Sequence, residues 1–139
     1  MSLAMIVLAA VMGASGVILA AAAAHTAPGA GLDSAAYMLL FHAVAVLGGI
    51  ALLQQALLTR PLMLGVLGAW VLGSVLFAGD IVLRAFLGYR LFSMAAPTGG
   101  IILILAWDRT RSNSRFDFGA ELVEGPLGRR HVRSRWKPT

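Results

Sequence analysis

The chain has 139 residues, of which 59% are apolar and 12% charged, with a mean hydropathy of +0.84. That length holds one domain at most, and that balance excludes an ordinary soluble domain, which sits near about half apolar and about a quarter charged. The lack of cysteine excludes disulfides, thiolate metal sites and thiol catalysis.

Of the 11 basic residues, only Arg60, Arg84 and Arg90 precede position 108. The pI near 11.1 is therefore a property of the tail and does not mark a nucleic-acid-binding protein. All but one of the basic residues are arginine, a usage that points to a GC-rich bacterial genome.

The first apolar segment covers residues 3–24 and carries no charge. A cleaved signal peptide is the alternative, because Ala21-Ala-Ala-Ala24 offers small residues at a cleavage position. Against it, no Lys or Arg precedes the run, and the run exceeds a usual signal core. The second segment, 34–59, holds His42 and ends near Gln54-Gln55. Arg60-Pro61 separates it from the third, 62–87, which carries Asp80 and Arg84. Gly88-Tyr89-Arg90 turns the chain into the fourth, 91–107, a marginal length with Pro97 inside it. A helix crosses about 30 Å of hydrocarbon in about 20 residues, and the runs lack a strand's alternation. The reading is an all-α membrane protein: a compact four-transmembrane-helix bundle over 1–107 and a polar, disordered C-terminal tail over 108–139.

With four spans, both termini share one side with Arg60, Arg109, Arg111 and Arg115. The other side holds Arg84 and Arg90, offset by Asp33. The positive-inside rule then places both termini in the cytoplasm of a bacterial inner membrane. Small residues recur at four-residue spacing: Gly16, Ala20 and Ala24 in the first segment, and Gly65, Ala69 and Gly73 in the third. Ala95-Ala96 and Gly99-Gly100 repeat the pattern, and Gly13 and Gly79 join them as packing positions. Such stripes let backbones approach within one bundle, and pairing with a second copy through one of them stays open.

Counted from the predicted ends, His25, Tyr37, His42, Asp80, Arg84, Pro97 and Thr98 fall in one leaflet. Ionisable residues in a span usually face the bundle interior and pair. Asp80 and Arg84 are i, i+4 neighbours, so one reading is an internal ion pair with Arg84 reaching toward the head groups. The other has Asp80 accepting a hydrogen bond from His42 or Tyr37, which makes a proton-responsive polar site. His25 and His42 differ in depth by about two turns, so no metal or haem site is expected. Pro97-Thr-Gly-Gly100 is read as loosening and re-aiming the fourth helix, with Thr98 satisfying a carbonyl that the proline frees. No HExxH, G-x-S-x-G or P-loop motif is present, and no cofactor is expected.

These positions also carry a family resemblance. Gly13-Ala-Ser-Gly16 leading to Ala24-His25, Tyr37-Met-Leu-Leu-Phe-His42-Ala-Val-Ala, Leu76-Phe-Ala-Gly79-Asp80 and Ala96-Pro-Thr-Gly-Gly100 stand in order. They resemble the blocks of the DUF423 family of small bacterial membrane proteins, whose animal relative is known as transmembrane protein 256. The resemblance covers about residues 3–107. It implies a four-helix integral membrane protein, with His25, Tyr37, His42, Gly79, Pro97, Gly99 and Gly100 at the characteristic positions, and it implies no reaction. Alanines fill much of the stretch before His25 where the family often has glycine and phenylalanine. Ala106-Trp107-Asp108 stands where Gly-Trp is usual, and the tail has no family counterpart.

In the tail, Arg129, Arg130, Arg133, Arg135 and Lys137 surround Trp136. Such a segment is drawn to anionic lipid head groups. Nonspecific nucleic-acid attraction and no role at all are the alternatives, and residues 116–122 are read as a short interfacial helix. The functional expectation is a small structural or accessory membrane subunit, partnered by a membrane complex or by its own copies. The alternative is a small transporter or proton-linked carrier using His42, Asp80 and Tyr37. A membrane enzyme comes third.

Overall fold

A computed structural model describes residues 2–55 and 59–113. Arg115, the predicted 116–122 helix and the basic cluster around Trp136 lie outside the described residues. Four helices follow in order: α1 (Ser2–His25), α2 (Leu32–Gln54), α3 (Arg60–Leu87) and α4 (Ala95–Asn113). They pack as a bundle in which chain neighbours carry the interfaces, α1 on α2, α2 on α3 and α3 on α4. α1, α2 and α3 are each long and apolar enough to cross a membrane. Their outward faces are apolar, with Leu3, Phe41 and Val44 all exposed. Such faces suit lipid and would be costly in water.

The helix ends follow local chemistry. Thr59 precedes α3 in extended conformation, and Pro61 sits in the first turn, where its missing N–H costs nothing. Gly88 closes α3 with φ of 74°, a left-handed value that glycine adopts without strain. The second helix starts two residues earlier than expected and ends at Gln54, where the amide side chains of Gln54 and Gln55 leave the apolar run. The largest difference is in α4, expected over 91–107 and found over 95–113. Pro97 therefore lies in its first turn and not in its interior. It interrupts no established ladder, and the first bonds run from Ala95 N to Phe92 O and from Thr98 N to Met94 O.

Two buried clusters fill the bundle. One, toward the N-terminal end, gathers Ala9, Val46, Met63, Leu67, Trp70 and Leu103. The other, toward the far end, gathers Met12, Leu32, Leu39, Ala43, Ala78 and Ile81. Glycine sets the closeness of the helices at a few points. A Cβ on Gly99 would lie 2.6 Å from Gly73 O and 2.8 Å from Phe77 N, so α3 and α4 touch through backbone there. A Cβ on Gly16 would meet Leu40 Cγ at 2.7 Å.

Candidate functional site

Three polar side chains are buried among the described residues: Asp80, His42 and Ser74. They form two centres at different depths. Asp80, 3% exposed, occupies the first. Its Oδ2 lies 3.3 Å from Arg84 Nε one turn on, and its Oδ1 accepts the Leu91 backbone N–H at 3.1 Å. The second bond reveals the path of the chain. α3 runs seven residues past Asp80, about 10 Å at 1.5 Å per residue, and residues 88–94 then fold back to the level of Asp80. Non-helical backbone near hydrocarbon needs acceptors from the protein, and the Asp80 carboxylate supplies one.

His42 holds the second centre. Its Nδ1 lies 2.8 Å from Met38 O, and its Nε2 lies 3.3 Å from Trp107 Nε1. A carbonyl can only accept and an indole N–H can only donate, so the contacts assign a neutral ring protonated at Nδ1. Trp107 also leans on Trp70, with ring centroids 4.6 Å apart. Ser74 Oγ donates to Trp70 O at 2.7 Å. Trp70 Nε1 is buried and has no acceptor among the described residues.

The single-leaflet cluster expected from sequence divides accordingly. Gly31 lies against Ile81, and His42 is eleven residues further along α2, about 16 Å deeper and near the level of Trp70. Neither His42 nor Tyr37 reaches Asp80: both His42 nitrogens are engaged elsewhere, and Tyr37 is 56% exposed and stacked on Phe41. His25 is exposed at the end of α1, Pro97 is exposed, and Thr98 is half-buried. The packing positions divide too. Gly16, Gly73 and Gly99 make close approaches, Gly13 meets Ala43 at an ordinary 3.8 Å, and Ala69 packs beside the core. Among the described residues, nothing lies within 4 Å of a Cβ on Gly65, Gly79 or Gly100. Two participants escaped sequence reasoning. Trp107 ends the apolar run of the fourth segment, and its indole N–H is a donor for which a neighbouring helix can supply the acceptor. Gly49, four residues after Ala45, packs under Met63 and Leu67.

Among the described residues, no group of three or more His, Asp or Glu side chains could hold a metal ion. The arrangement fixes backbone and helices by engaging the Asp80, His42 and Ser74 side chains inside the chain. Long apolar helices with lipid-suited faces and internally paired polar residues define a multi-pass α-helical membrane protein.

The chain belongs to the DUF423 family, described as proteins of unknown function, whose family model matches residues 12–100. The match takes in Asp80, His42 and both close-packed glycines of the α3–α4 contact, and ends before Trp107. No curated protein and no solved structure matches the chain.

Proposed function

We propose that this DUF423 protein is a small structural or accessory subunit of the bacterial inner membrane, with four spans and both termini cytoplasmic. One observation carries the reading: the two buried ionisable side chains within the helices, Asp80 and His42, are engaged by this chain's own groups. Asp80 is held by Arg84 and Leu91, and His42 by Met38 and Trp107. A carrier needs such groups available to cargo, whereas a packing subunit needs them satisfied. α4 runs antiparallel to α3 and supplies the fourth span. Arg60, Arg109 and Arg111 then share the cytoplasmic end. Affinity isolation of the full chain from native membranes in mild detergent should retain a stable partner or further copies of itself. Recovery of a solitary monomer would overturn the reading.

A proton-linked carrier is the second reading, favoured by the unpartnered Trp70 N–H beside the Trp107 ring that His42 contacts. Proteoliposomes carrying Asp80→Asn or His42→Ala test it. Proton or solute flux that depends on either residue would replace the subunit reading with this one.

A further inference from the structure

Where α2 begins and α3 ends, the bundle opens a cleft of about 530 Å³. The turn at residues 29–31 and Ser34 form one wall, and Phe77, Ile81 and Arg84 form the other. Its two polar side chains, Arg84 and Ser34, can both donate. Arg84 meets Asp80 through Nε while its side chain stays 42% exposed, which leaves the terminal nitrogens of the guanidinium fork for a second acceptor. Gly29 and Gly31 hold φ of 81° and 78°, and no side chain caps the amides that follow Gly31. The Ser34 hydroxyl adds a donor from the same wall.

The depth of the cleft matches this chemistry. Gly31 packs on Ile81, so α2 starts near the level of Arg84. The Leu91–Asp80 bond brings the start of α4 to within about a turn of the same level. α2 and α4 start, and α3 ends, within about a turn of Arg84, the level at which a bilayer's head groups would be expected. The neighbouring acids are Asp80, already engaged by Arg84 and Leu91, and Asp33, exposed in the first turn of α2 outside the cleft lining. Phe77 and Ile81 provide an apolar floor on the bilayer side of the donors.

We propose that this cleft binds a phosphate anion at the membrane surface, held by Arg84 and Ser34 and supplied by an anionic phospholipid head group. The assignment goes beyond the subunit reading and does not depend on it. A guanidinium fork makes paired, charge-assisted hydrogen bonds to phosphate oxygens, and the apolar floor suits the start of an acyl chain.

The test uses the full chain in nanodiscs of phosphatidylcholine with phosphatidylglycerol, released into neutral detergent, with retained lipid read by native mass spectrometry. The wild type should retain phosphatidylglycerol in preference to phosphatidylcholine. Arg84→Gln should lower that retention by about tenfold, the scale of losing a charge-assisted pair. Because Arg84→Gln also disturbs Asp80, Ala30→Glu is the second variant: it places a like charge in the cleft and leaves the ion pair intact. It should lower retention comparably, whereas Arg90→Gln, outside the lining, should retain lipid as the wild type does. Retention unchanged in Arg84→Gln and Ala30→Glu overturns the site. So does an equal loss in Arg90→Gln, which reports diffuse charge. Displacement of the retained lipid by millimolar inorganic phosphate would assign the same donors to the free anion, and resistance to it assigns them to the head group.

Discussion

Leu91 donates its backbone N–H to the carboxylate of Asp80, eleven residues earlier in the chain, at 3.1 Å. This bond explains why an apolar helix keeps a charged pair. The carboxylate secures the α3–α4 connection, and Arg84 compensates its charge from one turn above. Removing either partner should therefore have a different consequence.

Asp80→Ala strands the Leu91 amide and should cost about 1–3 kcal/mol, while its freed Arg84 can reach water or head groups. Arg84→Ala leaves a buried carboxylate with one donor and should cost about 1–2 kcal/mol, discounted for the arginine's exposure. The double variant should lose less than the sum, since neither charge is then left without its partner. Asp80→Asn retains an acceptor for Leu91, so hydrogen exchange at that amide should stay slow, in contrast to Asp80→Ala. Thermal unfolding in detergent and amide exchange read these outcomes; additive losses with an unchanged Leu91 amide would contradict them.

The glycines separate into two groups with opposite expectations. At Gly99 a Cβ would collide with backbone atoms Gly73 O and Phe77 N, which cannot rotate away. Gly99→Ala should force α3 and α4 apart and destabilise by about 1–3 kcal/mol. At Gly65 and Gly100 none of the described residues lies within 4 Å, so alanine there should be neutral or stabilise by up to about 1 kcal/mol through helix propensity. Comparable melting shifts at Gly99 and Gly65 would refute the α3–α4 contact.

Trp107 joins α4 to α2 through His42. Trp107→Phe keeps the ring on Trp70 and removes the donor, which should cost about 1 kcal/mol, in the range of hydrogen bonds between helices in membranes. In His42→Leu the Trp107 indole N–H resonance should shift and exchange faster, because that side chain is half-exposed. The buried Trp70 indole N–H makes no bond to His42 and should respond far less. An unmoved Trp107 resonance would remove the α2–α4 link.

Much of this architecture is legible in the sequence because hydropathy and length alone define the apolar helices, and four ordered motif blocks define the family. Asp80 and Arg84 were legible as a pair because i, i+4 spacing fixes their geometry on one helix. The partners across helices were not. Depths counted from predicted ends placed His42 level with Asp80, but Gly31 packs on Ile81, so α3 runs six residues past the level where α2 starts and Asp80 lies near that start, far from His42. A displacement of a few residues at 1.5 Å each is enough to exchange one interhelical partner for another. Nor could a stripe of small residues say which of its members faces a neighbour: Gly73 does and Gly65 does not.

The recessed start of α4 bears directly on topology. Residues 95–107, its apolar part, span only about 20 Å as a helix, short of the roughly 30 Å of hydrocarbon. Yet the Gly73–Gly99 contact holds α4 against α3 and antiparallel to it, so it should follow α3 through the bilayer. The mismatch can then be met by local thinning and by Arg109 and Arg111 reaching to the interface. The chain has no cysteine, which makes single introduced cysteines at Ser2, Ala30 and Ser112 clean reporters. In intact cells an impermeant maleimide should label Ala30→Cys and spare Ser2→Cys and Ser112→Cys until the membrane is opened. Labelling of Ser112→Cys together with Ala30→Cys would show that α4 does not cross. Labelling of Ser2→Cys and Ser112→Cys alone would invert the orientation while keeping four spans.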